Sequence, residues 1–131
     1  MNRLSVIIFR DGKGKILLQY RDSGAPTSPL MWSFFGGSAD HQDETEQQAI
    51  VREIKEELGL DISEEHLRLL TNEIHGEGEE RNVFFFEYTQ PISWNDIGVY
   101  EGAGAAFLTK EEILQMKETT ETAKYFVGKY A

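Results

Sequence analysis

The sequence predicts an α/β fold of the α+β type, with a mixed β-sheet between helices. Three observations lead there. Segments of strand length fall in two groups of three around one long helical segment, and two more helical segments close the chain, giving the order β-β-β-α-β-β-β-α-α. Strands therefore do not alternate strictly with helices, as a doubly wound dinucleotide fold requires. Gly36-Gly37 also lacks the third glycine and the long preceding strand of that fingerprint. At 131 residues the chain reads as one domain, 1–131, able to form a core without disulfides or structural metals.

Leu4 to Phe9 reads as the first strand. Asp11-Gly12-Lys13-Gly14 is a turn and Lys15 to Arg21 a second strand, which predicts a hairpin. Asp22 to Pro29, rich in Ser, Gly, Pro and Thr, is a surface loop. Trp32 to Phe35 is a short strand running into Gly36-Gly37, and Ser38 to Asp43 is polar loop. A helix covers about 45 to 58, closed by Gly59 as a left-handed cap. Ser63-Glu64-Glu65 starts a single helical turn. Leu67 to Ile74 and Arg81 to Thr89 are strands around the polar loop 75–80, and Phe84-Phe85-Phe86 reads as buried strand. Ala103 to Leu108 is the last strand. Thr109 and Glu112 form a capping box that opens a helix to about Met116, and Thr119 to Val127 is the third helix.

Composition narrows the function. Without cysteine the chain has no disulfide, no thiolate metal site and no cysteine nucleophile, which fits a reducing compartment. The apolar run Val6 to Phe9 is too short for a signal peptide or membrane span, so the expected location is the cytoplasm. Thirteen basic against 23 acidic side chains give a net charge of −10, which repels polyphosphate backbones and argues against nucleic acid as the main partner. An anionic ligand would then need cations to mediate its contact.

The most informative stretch is Arg52 to Leu60, REIKEELGL. On a helix Glu53, Glu56 and Glu57 stand at i, i+3 and i+4, within an arc of about 100°. Ile50, Ile54 and Leu58 form the apolar stripe beside them. The three carboxylates repel one another, and Glu56 and Glu57 fall in the last turn, where the helix dipole favours cations. Two readings fit: a solvated acidic face, for which glutamate is an ordinary choice, or a seat for a divalent cation, which takes clustered carboxylate oxygens.

Gly37 to Leu60 resembles the Nudix box, G-x5-E-x7-R-E-U-x-E-E-x-G-U, where U is a bulky aliphatic residue. Glu44, Arg52-Glu53, Ile54, Glu56-Glu57, Leu58, Gly59 and Leu60 match it position by position. Trp32-Ser33-Phe34-Phe35-Gly36-Gly37 looks like the family's lead-in, with Phe34-Phe35 where many members have Leu-Pro. One departure stands: six residues, Ser38 to Asp43, separate Gly37 from Glu44, one more than the pattern.

The resemblance implies an α/β/α sandwich and a pyrophosphohydrolase dependent on Mg²⁺ or Mn²⁺, acting on a nucleoside diphosphate linked to a group X. It implies Glu53, Glu56, Glu57 and the Gly37 carbonyl as metal ligands, with one of the glutamates as general base. It implies an architectural pairing of Glu44 with Arg52. Glu101-Gly102, with Phe107 further on, looks like the segment that brings a fourth acid, Glu101, to the metal in some triphosphate hydrolases of the family. Trp32, Phe35 and Arg21 are candidates for substrate contact, Phe34 and Phe35 being core packing on the plainer reading, and Arg81 is weighed with Arg21. His41, His66 and His75 show no ligand-like spacing and read as loop or surface residues.

The favoured substrate is a (deoxy)nucleoside triphosphate, an oxidised purine among them, with nucleotide sugars and dinucleoside polyphosphates as rivals. A reading of another class is a Nudix module that senses a nucleotide without cleaving it; such modules usually lose box glutamates, and here all are present. Diphosphate isomerisation on this fold needs a catalytic cysteine that the chain lacks. Homodimers are frequent in the family.

Overall fold

The computed structural model describes residues 2–39, 43–76 and 79–131. Among the described residues seven strands and three α-helices follow one another as β1 (Arg3–Ile8), β2 (Ile16–Tyr20), β3 (Trp32–Ser33), β4 (Phe35–Ser38), α1 (Glu46–Leu58), β5 (Leu67–His75), β6 (Arg81–Tyr88), β7 (Gly104–Leu108), α2 (Lys110–Gln115) and α3 (Glu121–Tyr130). Short 3₁₀ turns cover Glu64–His66 and Trp94–Asp96; the first was expected and the second was not. His41 and parts of both polar loops, 40–42 and 77–78, lie outside the described residues.

The predicted hairpin is corrected. The turn exists, with the Asp11 N–H donating to the Lys15 carbonyl at 3.0 Å and Arg10 bridging Ile16 at its base. Beyond that bridge the two strands part into different sheets. One is mixed, in the order β4-β1-β6-β5, with β1 parallel to β6; the other is antiparallel, β3-β2-β7. The predicted third strand is likewise two. It breaks at Phe34, β3 pairing with β2 and β4 with β1.

Period-2 side-chain alternation builds two cores from the same strands. Ile7 and Phe9 turn toward α1, where they meet Phe35, Ile50, Ile54, Leu58 and Phe86. Val6, Ile8, Phe34 and Phe85 turn the other way, toward Ile113 of α2 and Phe126 and Val127 of α3. Helices thus cover both faces, as expected of the sandwich.

Helix α1 is sharply bounded. The Thr45 hydroxyl accepts from the Gln48 N–H at 3.1 Å, and the Gln48 side chain accepts from the Thr45 N–H at 2.9 Å. At the other end Gly59 takes φ +66°, the left-handed geometry that suits glycine. No helix among the described residues is long and apolar enough to cross a membrane.

Candidate active site

The apolar stripe of α1 is buried on the sheet, so its acidic face is fixed beside the start of β4. Glu57 is the innermost of the three carboxylates, with 3% of its surface exposed. Its Oε1 accepts from the Gly36 N–H at 3.0 Å. Burial pushes its pKa up from 4.5 to about 8; the Gly36 hydrogen bond opposes this, and Glu53, Glu101 and Glu56 add to it by like-charge repulsion. Glu53 is also raised, chiefly by burial, against the lowering effect of Arg52. Glu56 stands apart, its side chain 51% exposed.

Arg52 is the hub of this face. Its Nε and Nη2 donate to the two carboxylate oxygens of Glu44 at 2.8 and 3.0 Å, a bidentate pair. Nη1 donates to Glu53 Oε1 at 3.0 Å and lies 3.6 Å from Glu56 Oε1. Nη2 also donates to the Ser38 carbonyl at 3.3 Å. These partners hold the guanidinium firmly protonated, Glu44 contributing most. One side chain thus ties the end of β4, the loop residue Glu44 and the helix together.

The two glycines preceding that loop serve different ends. Gly36 has φ +137°, and a Cβ there would lie 2.1 Å from the Ser5 carbonyl oxygen, so only glycine fits against β1. A Cβ on Gly37 would instead lie 2.6 Å from Glu53 Cδ. Gly37 keeps the backbone close to that carboxylate.

Glu101 is brought to the same place by two tethers. The Tyr100 N–H donates to the Glu57 carbonyl at 3.0 Å, and the Ala103 N–H to the Tyr20 carbonyl at 2.8 Å. Glu101 sits between them, held by α1 on one side and β2 on the other. Glu53, Glu57 and Glu101 line one cleft of about 520 Å³, with Asp22 and Pro26 of the loop after β2 as part of its wall. Glu56 does not line it. Among the described residues no three His, Asp or Glu side chains stand as a group that could hold a metal ion.

A second cavity, of about 350 Å³, adjoins the first and shares Gln19, Arg21 and Gly36 with it. Its walls are apolar at Leu4, Val6 and Phe34 and polar at Ser33 and Thr120, and both Gly37 and Arg81 border it. Arg21 donates through Nε to the Thr27 carbonyl at 2.7 Å, fastening the loop that walls both cavities.

Two candidates for substrate contact are corrected. Phe35 has no exposed surface and belongs to the core against α1; Phe34, one residue earlier and facing the other way, is the ring that reaches a cavity. Trp32 packs on Tyr20, ring centroids 5.0 Å apart, and lines neither cavity. His75 is not a free surface residue either, its ring stacking on Tyr125 at 4.6 Å. Sequence reasoning missed Gln19 and Tyr100. Gln19 had a signal: it is the polar residue that directly follows the apolar run Ile16 to Leu18 in β2, and its amide donates to the Phe34 carbonyl at 2.9 Å.

The model of the NUDIX domain matches residues 1–127, and the chain belongs to the Nudix family. It is 31% identical over 125 residues, 94% of this chain and 72% of the relative, to an uncharacterized Nudix hydrolase, lmo0368, of Listeria monocytogenes. It is 32% identical over 113 residues, 86% of this chain and 78% of the relative, to the CTP pyrophosphohydrolase of Escherichia coli. Among solved structures it is similar to the MutT protein of Methanosarcina mazei Go1, with a TM-score of 0.80 and 22% identity over 97% of this chain and 90% of that one. The MutT Nudix hydrolase of Burkholderia pseudomallei gives a TM-score of 0.79 at 18% identity, over 99% and 98% of the two chains. The fold is thus that of the MutT-like Nudix proteins, and the chain is a Nudix hydrolase acting on phosphoanhydride bonds.

Proposed function

We propose that this enzyme is a divalent-cation-dependent pyrophosphohydrolase whose preferred substrate is a (deoxy)nucleoside triphosphate. The observation that carries the reading is a buried glutamate, Glu57, beside Glu53 and Glu101 in a cleft that opens into an apolar-walled cavity. The donor set fits a hard dication, Mg²⁺ or Mn²⁺. Three carboxylates line one cleft, two of them have pKa values raised chiefly by burial with like-charge repulsion added, and drawing them in around an ion of opposite charge would relieve both effects. Glu53, Glu57 and Glu101 would hold it, with Glu56 and the Gly37 carbonyl completing the set.

When bound, the cation would neutralise charge on the phosphate oxygens and make water a stronger nucleophile. The chain's own residues do the rest. The cavity at Leu4, Val6 and Phe34 seats the nucleoside, and Arg21, shared by both cavities, lies where the phosphates must pass. Water attacks phosphorus in line, and a box glutamate accepts its proton. Cleavage between the α- and β-phosphates adds one water and releases nucleoside monophosphate and pyrophosphate. The CTP pyrophosphohydrolase among the relatives supports a triphosphate substrate.

The test is product analysis over a panel: ordinary and oxidised nucleoside triphosphates, nucleotide sugars and dinucleoside polyphosphates, with Mg²⁺, Mn²⁺ or chelator. The reading expects monophosphate and pyrophosphate from triphosphates, only with metal. Nucleotide binding without cleavage of any class would favour a sensing module instead.

A further inference from the structure

We propose that Tyr100 is a specificity-determining residue, a platform on which X stacks when X carries a ring. The inference rests on the proposed seating of the diphosphate between the two cavities.

Tyr100 is 70% exposed, far more than core packing would leave it. It is nonetheless held in place. Its N–H is tied to Glu57, and the Gly98 N–H donates to the Leu58 carbonyl at 2.9 Å, so the segment is pinned to the end of α1. The ring lies over two glycines, Gly59 and Gly98, and a Cβ on either would come within 2.8 Å of Tyr100 Cε2. Gly59 has a reason of its own to be glycine, the left-handed cap of α1. Gly98 has no such backbone geometry, and the space it leaves open is filled by this ring.

A fixed aromatic face turned to solvent is a binding surface with little entropy left to lose. Its position assigns the ligand. Tyr100 lines the carboxylate cleft beside Glu53, Glu57 and Glu101, on which the nucleoside cavity does not draw. With the nucleoside in one cavity and the diphosphate at the shared Gly36, the group reaching Tyr100 is X. A bare phosphate has no face to lay on an aromatic ring; a sugar or a second nucleoside does. Tyr100 therefore extends the substrate range toward diphosphates with a ring on both ends.

The test compares a nucleoside triphosphate, a nucleotide sugar and a dinucleoside polyphosphate that share one base, using the wild-type protein, Tyr100→Phe and Tyr100→Ala. Tyr100→Ala is expected to raise KM for the two ring-bearing substrates roughly five- to ten-fold over any change for the triphosphate, the scale of one ring stack. kcat should stay near wild type, and Tyr100→Phe should keep the wild-type pattern. Equal changes for all three substrates, or none, would overturn the proposal. Should Tyr100→Ala not fold, Tyr100→Leu fills the seat without a stacking face and carries the same comparison. If the wild-type protein cleaves none of the three, the proposed function fails, and equilibrium binding of the same nucleotides decides about Tyr100. An X-selective loss of affinity keeps its role; an unselective one removes it.

Discussion

The Glu57 carboxylate receives the Gly36 N–H at 3.0 Å, joining the last turn of α1 to the first residues of β4 across 21 positions of sequence. This bond places a carboxylate of the acidic helix face beside the glycine pair inside β4. It leaves the second oxygen of Glu57 for the cleft.

Glu57→Gln preserves the shape and an acceptor oxygen for Gly36 but removes the charge. We expect kcat to fall at least ~100-fold for Glu57→Gln, and likewise for Glu56→Gln, the scale of an essential acid–base or ligand group. Steady-state kinetics on a triphosphate checks this. Wild-type turnover in both variants would remove the box glutamates from the chemistry.

Stability without metal should depend on pH through Glu57. Its folded pKa of about 8 lies above the ordinary 4.5, so the native state keeps a proton that the unfolded chain releases. The contribution is fully present below about 4.5 and is lost as pH rises toward and through about 8. Thermal unfolding in chelator should show a falling Tm across that window. Glu57→Gln should flatten the fall, and an unchanged slope would argue that the carboxyl is not perturbed.

Arg52→Lys cannot reproduce the fork that grips Glu44 while also reaching Glu53 and Ser38. We expect a loss of about 1–2 kcal/mol in stability, smaller at high salt because the group is partly exposed. A fall in kcat should accompany it, because Glu53 loses its anchor. Denaturant melts and kinetics on the same preparation report both effects.

The two glycines should separate fold from function. Gly36→Ala forces a Cβ into the Ser5 carbonyl at an unfavourable φ, so it should lower Tm strongly. Gly37→Ala collides only with the end of the Glu53 side chain, which can swing away. It should fold nearly normally and lose activity. Comparable Tm losses in both would contradict the geometry.

Much of this was legible in the chain because local chemistry dictates it. The capping residues Gly59 and Thr109 set helix ends within a residue or two, and the i, i+3, i+4 spacing put Glu53, Glu56 and Glu57 on one face. What was not legible is where strands go after a turn. Asp11 to Gly14 signals a reversal equally well whether the flanking strands stay paired or part into two sheets. The same limit exchanged Phe34 and Phe35, since the break between β3 and β4 decides which ring faces a cavity and which the core. The sequence distinguishes Glu56 from Glu57 by a single step. On the helix that step is the difference between a half-exposed carboxylate and a buried one. Tyr100 carried no signal at all, because its seat is built from Gly59, which reads as a helix cap, and Gly98, which the fold alone brings beneath the same ring.

The central claim is that Glu53, Glu57 and Glu101 form a seat for a divalent cation on which phosphoanhydride hydrolysis depends. Titration with Mn²⁺, following free ion by its paramagnetic resonance while assaying a nucleoside triphosphate in parallel, tests it most directly. The account predicts saturable binding and hydrolysis that rise together in the wild-type protein, both strongly weakened in Glu57→Gln. Hydrolysis that persists in chelator, or Mn²⁺ binding that Glu57→Gln, Glu53→Gln and Glu101→Gln all leave unchanged, would contradict it.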